Sequence, residues 1–279
     1  MKKIFQILGL IGLTCFSFFM TEKTALVVSN MDEIMLEIKA NYKNYKTEAI
    51  DAVIEENTII PGVCAKDVNI KKSDKNMKSN GYYSDKLFIY DYTKPEISLS
   101  DNVDKYIIKG NSSKRMVSLI FKVKDSDNID DILNIINNYN VKATFFIDTS
   151  WFTNNNELIQ ELIDDGHNIG ILMDDYTNPD FEWMDMVLKK INNQKNSFCY
   201  SKENSDSNMH ACKLKNNYTI KPIEISDKTP FSDIKKNLTA GSIISLDINS
   251  KLKKELSTII IYIKSRGYNL DNLENHLLE

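Results

Sequence analysis

The chain of 279 residues has little glycine (9), little proline (5) and 3 histidines. Its four cysteines contain no C-x-x-C pair, which removes the usual sequence basis for a zinc or dithiol redox site. A basic stripe is also missing. Lys and Arg number 35 against 39 Asp and Glu, a formal net charge of −4, with both signs interspersed. That balance excludes a nucleic-acid binder of the ordinary basic kind and describes a solvated surface. Asparagine is plentiful but spread along the chain, so it reads as compositional bias rather than a prion-like tract.

Near the start, Lys2 and Lys3 precede an apolar run at 4–20, followed by Thr21, Glu22 and Lys23. A charged head and an apolar run are the first two parts of a secretory signal. No small-residue cleavage site is evident, and the run approaches the ~20 residues that span a bilayer. Residues 1–23 are therefore expected to be a signal peptide or an uncleaved signal-anchor, with the anchor ahead and the lysines inside. Cys15, after Gly12-Leu13-Thr14, is a poor lipoprotein box. Beyond this segment lie Cys64, Cys199 and Cys212, an odd number. Cys199 and Cys212 could pair in an oxidising compartment. Partly buried free thiols are the favoured expectation.

Residues 24–56 are expected to form a helical stalk, with a helix over about 31–55. Ile34, Met35, Ile38 and Tyr42 fall at helical spacing there, and Asn30 or Asp32 can cap the start. Residues 57–112 read as a small α+β module. Pro61-Gly62 marks a turn, 68–70 a strand followed by a polar loop, and Asn80-Gly81 a hairpin signal before a strand at 86–90. From Met116 onward strand and helix patterns alternate. Strands are expected at 117–123, 143–147, 168–173 and 243–248, and helices at 129–139, 155–165, 181–192 and 252–265. Such alternation with short links predicts a parallel α/β sheet, closing as a barrel with its site at the C-terminal strand ends.

Three stretches add a more specific signal. They are V-S-L-I-F-K-V-K at 117–124, N-V-K-A-T-F-F-I-D at 140–148 and D-D-G-H-N-I-G-I-L-M-D-D-Y at 164–176. G-S-I-I at 241–244 and S-R-G-Y at 265–268 follow in matching order and spacing. Together they resemble the polysaccharide deacetylases that act on chitin, peptidoglycan and acylated glycans, over about 116–278. The resemblance implies a distorted (β/α) barrel at 113–279. It also implies a divalent metal, usually zinc, held by one Asp and two His. A second Asp would be the general base, and a distant His would protonate the leaving amine.

Those chemical roles fall on the wrong residue types. The family's T-F-D-D-G aligns with Ile120-Phe121-Lys122-Val123-Lys124, so the base becomes Lys122 and the metal Asp becomes Val123. The two histidine positions hold Leu172 and Tyr176, and the late catalytic histidine is Asp247. The R-P-P-Y-G segment is Ser197-Phe198-Cys199-Tyr200-Ser201, without Arg or Pro. A protonated lysine and a valine offer no lone pair. No cofactor is therefore expected, and any classification as a hydrolase of non-peptide carbon–nitrogen bonds rests on resemblance alone. His167 falls in the turn before a strand and reads as structural. Asp148, Trp151, Asp174 and Asp175 are candidates to line the old cleft, with Trp151 and Tyr176 placed to stack on sugar rings. Asp148, Asp174, Asp175 and Asp247 could offer oxygen to magnesium or calcium. Solvated strand-end carboxylates are the preferred reading.

Three functions follow as expectations. The first is a catalytically degenerate pseudoenzyme that binds cell-wall glycan or an envelope protein. The second is an N-deacetylase of peptidoglycan or chitooligosaccharide type with a rearranged site. The third is a membrane-tethered structural or interaction protein. In each case the expected location is the outer side of the plasma membrane of a Gram-positive bacterium.

Overall fold

The computed structural model describes residues 11–21, 23, 32–193 and 195–279. Much of the expected signal segment lies outside these. Residues 11–21 and 23 are helical, and among the described residues no helix is long and apolar enough to cross a membrane. The chain divides into two compact units. The smaller comprises Cys64–Thr93 and the described part of Met1–Ala49, and the larger comprises Ile50–Val63 and Lys94–Glu279.

The larger unit begins with an antiparallel pair, β1 (Val53–Glu55) and β2 (Thr58–Ile60). In the smaller unit β3 (Ala65–Val68) pairs antiparallel with β4 (Tyr90–Thr93). Besides the helical residues 11–21 and 23, it has two capped helices. Glu33–Asn41 is capped by Asp32, and Ile70–Asn80 is capped by Asn69, whose side chain accepts from Lys72 N at 2.9 Å. Ile38, Val68, Met77 and Phe88 form its core.

Four expectations change here. The helix anticipated over 31–55 stops at Asn41 and passes into a tight turn at Tyr42–Tyr45, because Thr47 bonds to Lys66 in extended backbone. The polar stretch after β3 is a helix, not a loop. Its Ser73 and Met77 lie one turn apart and supply the buried stripe that its mostly polar composition conceals. Asn80-Gly81 ends that helix rather than turning a hairpin: Gly81 takes φ 81°, the left-handed cap conformation. Residues 57–112 are likewise not one module, since 58–60 and 106–107 join the sheet of the larger unit.

That sheet continues with β5 (Tyr106–Ile107), β6 (Met116–Val123), β7 (Thr144–Ile147), β8 (Asn168–Ile171) and β9 (Phe198–Tyr200). It ends with β10 (Tyr218–Ile220), β11 (Ile223–Glu224), β12 (Ile243–Asp247) and β13 (Asn269–Leu270). The order is β1-β2-β5-β10-β9-β8-β7-β6-β12-β11, with β13 beside β6 off this path. From β2 onward every pairing is parallel. Strands and helices expected between 117 and 173, at 181–192 and after 243 lie within two residues of those observed. The pieces between Phe198 and Asn237, including helices Asp206–Leu214 and Pro230–Asn237, carried no such pattern.

The expected closed barrel is corrected to a half-barrel, because the path begins at β1 and ends at β11 without rejoining. Only Lys221-Pro222 separates β10 from β11, and a proline has no N–H with which to extend a ladder. Alternation along the strands sorts the core into two faces. Phe121, Phe145 and Ile147 pack outward beneath the helices with Leu162, Leu188 and Ile260. Ile120, Phe146, Tyr200, Ile220 and Ile243 pack on the concave side with Ile59, Ile107 and Leu273. Cys199 and Cys212 are joined as a disulfide between β9 and helix Asp206–Leu214, which overturns the expectation of free thiols. Their Cα atoms are 6.5 Å apart, within bridging range.

Candidate functional site

The site lies where β6, β11 and β12 end. Parallel pairing sets Asp247 opposite Lys122 and Glu224 opposite Ser245. Lys122 shares the concave face of Ile120 by strand alternation. Its Nζ is 2.8 Å from Asp247 Oδ2 and 2.9 Å from Glu224 Oε2, with only 11% of the side chain exposed. Tyr200, on β9, donates its hydroxyl to Glu224 Oε1 and lies 2.7 Å from Ser245 Oγ. The ammonium is 5.6 Å from the centre of the Tyr200 ring. Lys124 Nζ approaches Asp247 Oδ1 at 3.8 Å, so two cations face two carboxylates. Burial works against charge on Lys122, but Asp247 and Glu224 outweigh it and hold its pKa above the ordinary lysine value.

No donor set for a divalent ion results. Val123 points to the opposite face and packs among the outer core residues. Leu172 packs against the concave cluster. Tyr176 is 3% exposed. Its hydroxyl lies 2.6 Å from Ile171 O and 3.0 Å from Tyr200 O, and accepts from Tyr200 N at 2.8 Å. It thereby ties β8 to β9. Burial raises its pKa, which keeps the phenol neutral. Among the described residues no group of three or more His, Cys, Asp and Glu could hold a metal ion. The residues present do not fit the family's metal.

The remaining candidates are taken up by local structure. Asp148 caps helix Thr149–Asn154 through Trp151 N at 2.8 Å and accepts Asp125 N at 2.9 Å. Trp151 is 2% exposed, and its indole N–H donates to Asp127 O at 2.9 Å. Asp175 accepts the main-chain N–H and hydroxyl of Thr177. Asp174 is exposed, and its carbonyl accepts from Asn208. Two readings are corrected by this. Trp151 and Tyr176 offer no free ring face to a sugar, because both rings are buried. Asp148, Asp174 and Asp175 do not gather with Asp247, whose carboxylate is engaged by Lys122. His167 is structural: it stacks edge-on against Phe145, and burial lowers its pKa to about 4.

Glu224, Tyr200 and Ser245 were not singled out by sequence. Tyr200 carried one signal, since it stands at the tyrosine of the R-P-P-Y-G segment. Glu224 lies 102 residues from Lys122 in a stretch without motifs, so only the fold reveals it.

Residues 109–198 match the family model described as polysaccharide deacetylase. The uncharacterized protein YlxY of Bacillus subtilis (strain 168) is 32% identical over 163 residues, or 58% of this chain and 50% of that protein. The chain thus spans about half the length of this curated relative. Among solved structures, wild-type BA3943, a CE4 family pseudoenzyme from Bacillus anthracis, gives a TM-score of 0.65 at 21% identity. The likeness covers 88% of this chain and 95% of that one. A BA3943 mutant with restored enzymatic activity gives 0.66 at 21% identity over 88% and 98%. Bacillus subtilis PdaA, a family 4 carbohydrate esterase, gives 0.55 at 18% identity over 64% and 87%. These structures share the fold. Within it, residues 109–198 match the polysaccharide deacetylase model, while Lys122, Val123, Leu172 and Tyr176 stand where the resemblance places the base and metal ligands.

Proposed function

We propose that this chain is a non-catalytic deacetylase relative of the cell envelope, using its half-barrel to hold a cell-wall glycan or an envelope protein. The observation that carries this reading is the Lys122 ammonium held between Asp247 and Glu224. A divalent ion about 4 Å from that ammonium would be repelled by on the order of 8 kcal/mol at an effective dielectric of 20. The Glu224 and Asp247 carboxylates do not offset that, because Lys122 and Lys124 together already balance their two charges. The group at the base position is then a protonated lysine, and the carboxylates beside it are held in ion pairs. The pseudoenzyme character of BA3943 supports the same reading. The charged and apolar N-terminal pattern, together with the buried Cys199–Cys212 disulfide, favours an exported protein.

The test is to offer the purified full chain zinc and N-acetylated chitooligosaccharide or peptidoglycan. The expected result is no zinc retained after dialysis and no acetate released, with co-sedimentation on insoluble glycan or capture of one envelope protein. Zinc-dependent acetate release would overturn the proposal and restore the rearranged-site deacetylase.

A further inference from the structure

We propose a second ligand site at the opposite end of the parallel strands, one that takes a small amphipathic amine. A cavity of about 460 Å³ opens where β8, β9 and β10 begin. That volume lies in the range that accommodates small organic ligands, roughly 300–1,000 Å³. The strand ends that carry Lys122 and Asp247 are not part of it, so this site stands independently of the reading above.

The walls set the ligand's body. Phe198 and Tyr218, the first residues of β9 and β10, place their rings 6.3 Å apart and tilted by 30°. Ile169 and Leu277 complete an apolar lining. An aryl or short alkyl group would be covered there, its apolar surface removed from water.

Charge sets the head group. Lys195 is paired with Glu274 at one side of the cavity. Near Tyr218, Lys94 is paired with Asp101 at 2.9 Å. Glu279 is different: its carboxylate accepts main-chain N–H groups, Gly62 N at 3.0 Å and Leu99 N at 2.7 Å. Among the side chains that line the cavity the Lys195–Glu274 pair cancels and the Glu279 carboxylate is left over, while the Lys114 ammonium, outside the lining, is held by the carbonyls of His276 and Leu278. Aromatic ring faces also attract cations and not anions. An ammonium head is therefore preferred over a carboxylate of the same size.

The experiment is a titration of the full chain in detergent with phenethylamine, phenylacetate and phenylethanol, followed by calorimetry and by NMR shifts of labelled Phe and Tyr. Saturable binding of the amine is expected, with shifts at Phe198 and Tyr218 and the acid weaker by about tenfold, or 1.4 kcal/mol. Leu278 is 66% exposed at the mouth, so Leu278→Trp obstructs entry without disturbing the core. It should weaken the amine by at least about tenfold. Glu279→Gln keeps a carbonyl oxygen for both main-chain donors and should abolish the preference for amine over acid. No saturable binding, equal or tighter binding of the acid to the unaltered chain, or indifference to either substitution would overturn the proposal.

Discussion

Lys122 and Asp247 face each other across neighbouring parallel strands, with Nζ 2.8 Å from Oδ2. They stand at the positions that the family resemblance gives to a general base and a catalytic acid. One is a base position filled by a group already protonated, and the other an acid position filled by a carboxylate committed to that proton carrier. Glu224 closes the arrangement from β11 at 2.9 Å. A place suited to binding a cation thus carries a covalently attached one.

Lys122→Met should destabilise the fold by about 3 kcal/mol, because Glu224 and Asp247 then lose their shared buried partner and keep only the more exposed Lys124 near Asp247. Combining it with Glu224→Gln and Asp247→Asn should recover most of that loss. Urea unfolding midpoints at neutral pH measure both effects. Equal stability of the single variant and the unaltered chain would show that the ammonium is not held as described.

Tyr176 predicts a cost to restoring a metal ligand. Tyr176→Phe removes a buried hydroxyl that serves Ile171 and Tyr200, and should destabilise by about 1–3 kcal/mol. Adding histidines at Leu172 and Tyr176 should give no zinc binding while Lys122 is kept, and an aspartate at Val123 should not help, because that side chain packs on the outer face. Binding by calorimetry is expected only when Lys122→Asp is added.

The two buried histidines predict acid sensitivity. His167 and His276 are held down to about 4 by burial, against an ordinary 6.5. Between those values the unfolded chain binds more protons, so stability falls as pH drops from about 6.5 to 4 and then levels. Each can contribute up to about 3 kcal/mol. His276 Nδ1 lies 2.8 Å from Ser118 Oγ while its Nε2 has no hydrogen-bond partner. His276→Gln should therefore flatten part of this acid slope in unfolding measured at stepped pH. A slope unchanged by the substitution would assign the sensitivity elsewhere.

The disulfide predicts a redox dependence of stability. Cys199 and Cys212 close a loop with a sequence separation of 13, for which chain entropy gives about 3 kcal/mol. Adding reductant should lower the denaturant midpoint of the unaltered chain and leave a Cys199→Ala, Cys212→Ala variant unmoved.

Local order was legible wherever periodicity was clean. β6 is a near-continuous apolar run and helix Ser250–Ser265 has an apolar repeat of three to four, and both lie close to their expected bounds. Helix Ile70–Asn80 was missed because only Ser73 and Met77 are buried in an otherwise polar stretch, so its stripe is too thin to see. Export and membrane association remain proposals grounded in the pattern of residues 1–23.

The sequence by itself determined which chemistry is missing. Valine and leucine have no electron pair to give at 123 and 172, lysine has none at 122 while it is protonated, and tyrosine at 176 is a phenol where the family resemblance calls for an imidazole. Tertiary structure alone decided what replaces that chemistry. Strand order brings Glu224 to Lys122 across 102 residues, turns Tyr176 into a clamp between β8 and β9, and leaves the sheet open at β11. Those outcomes depend on which strands lie side by side and which face each side chain takes, and no local pattern encodes either.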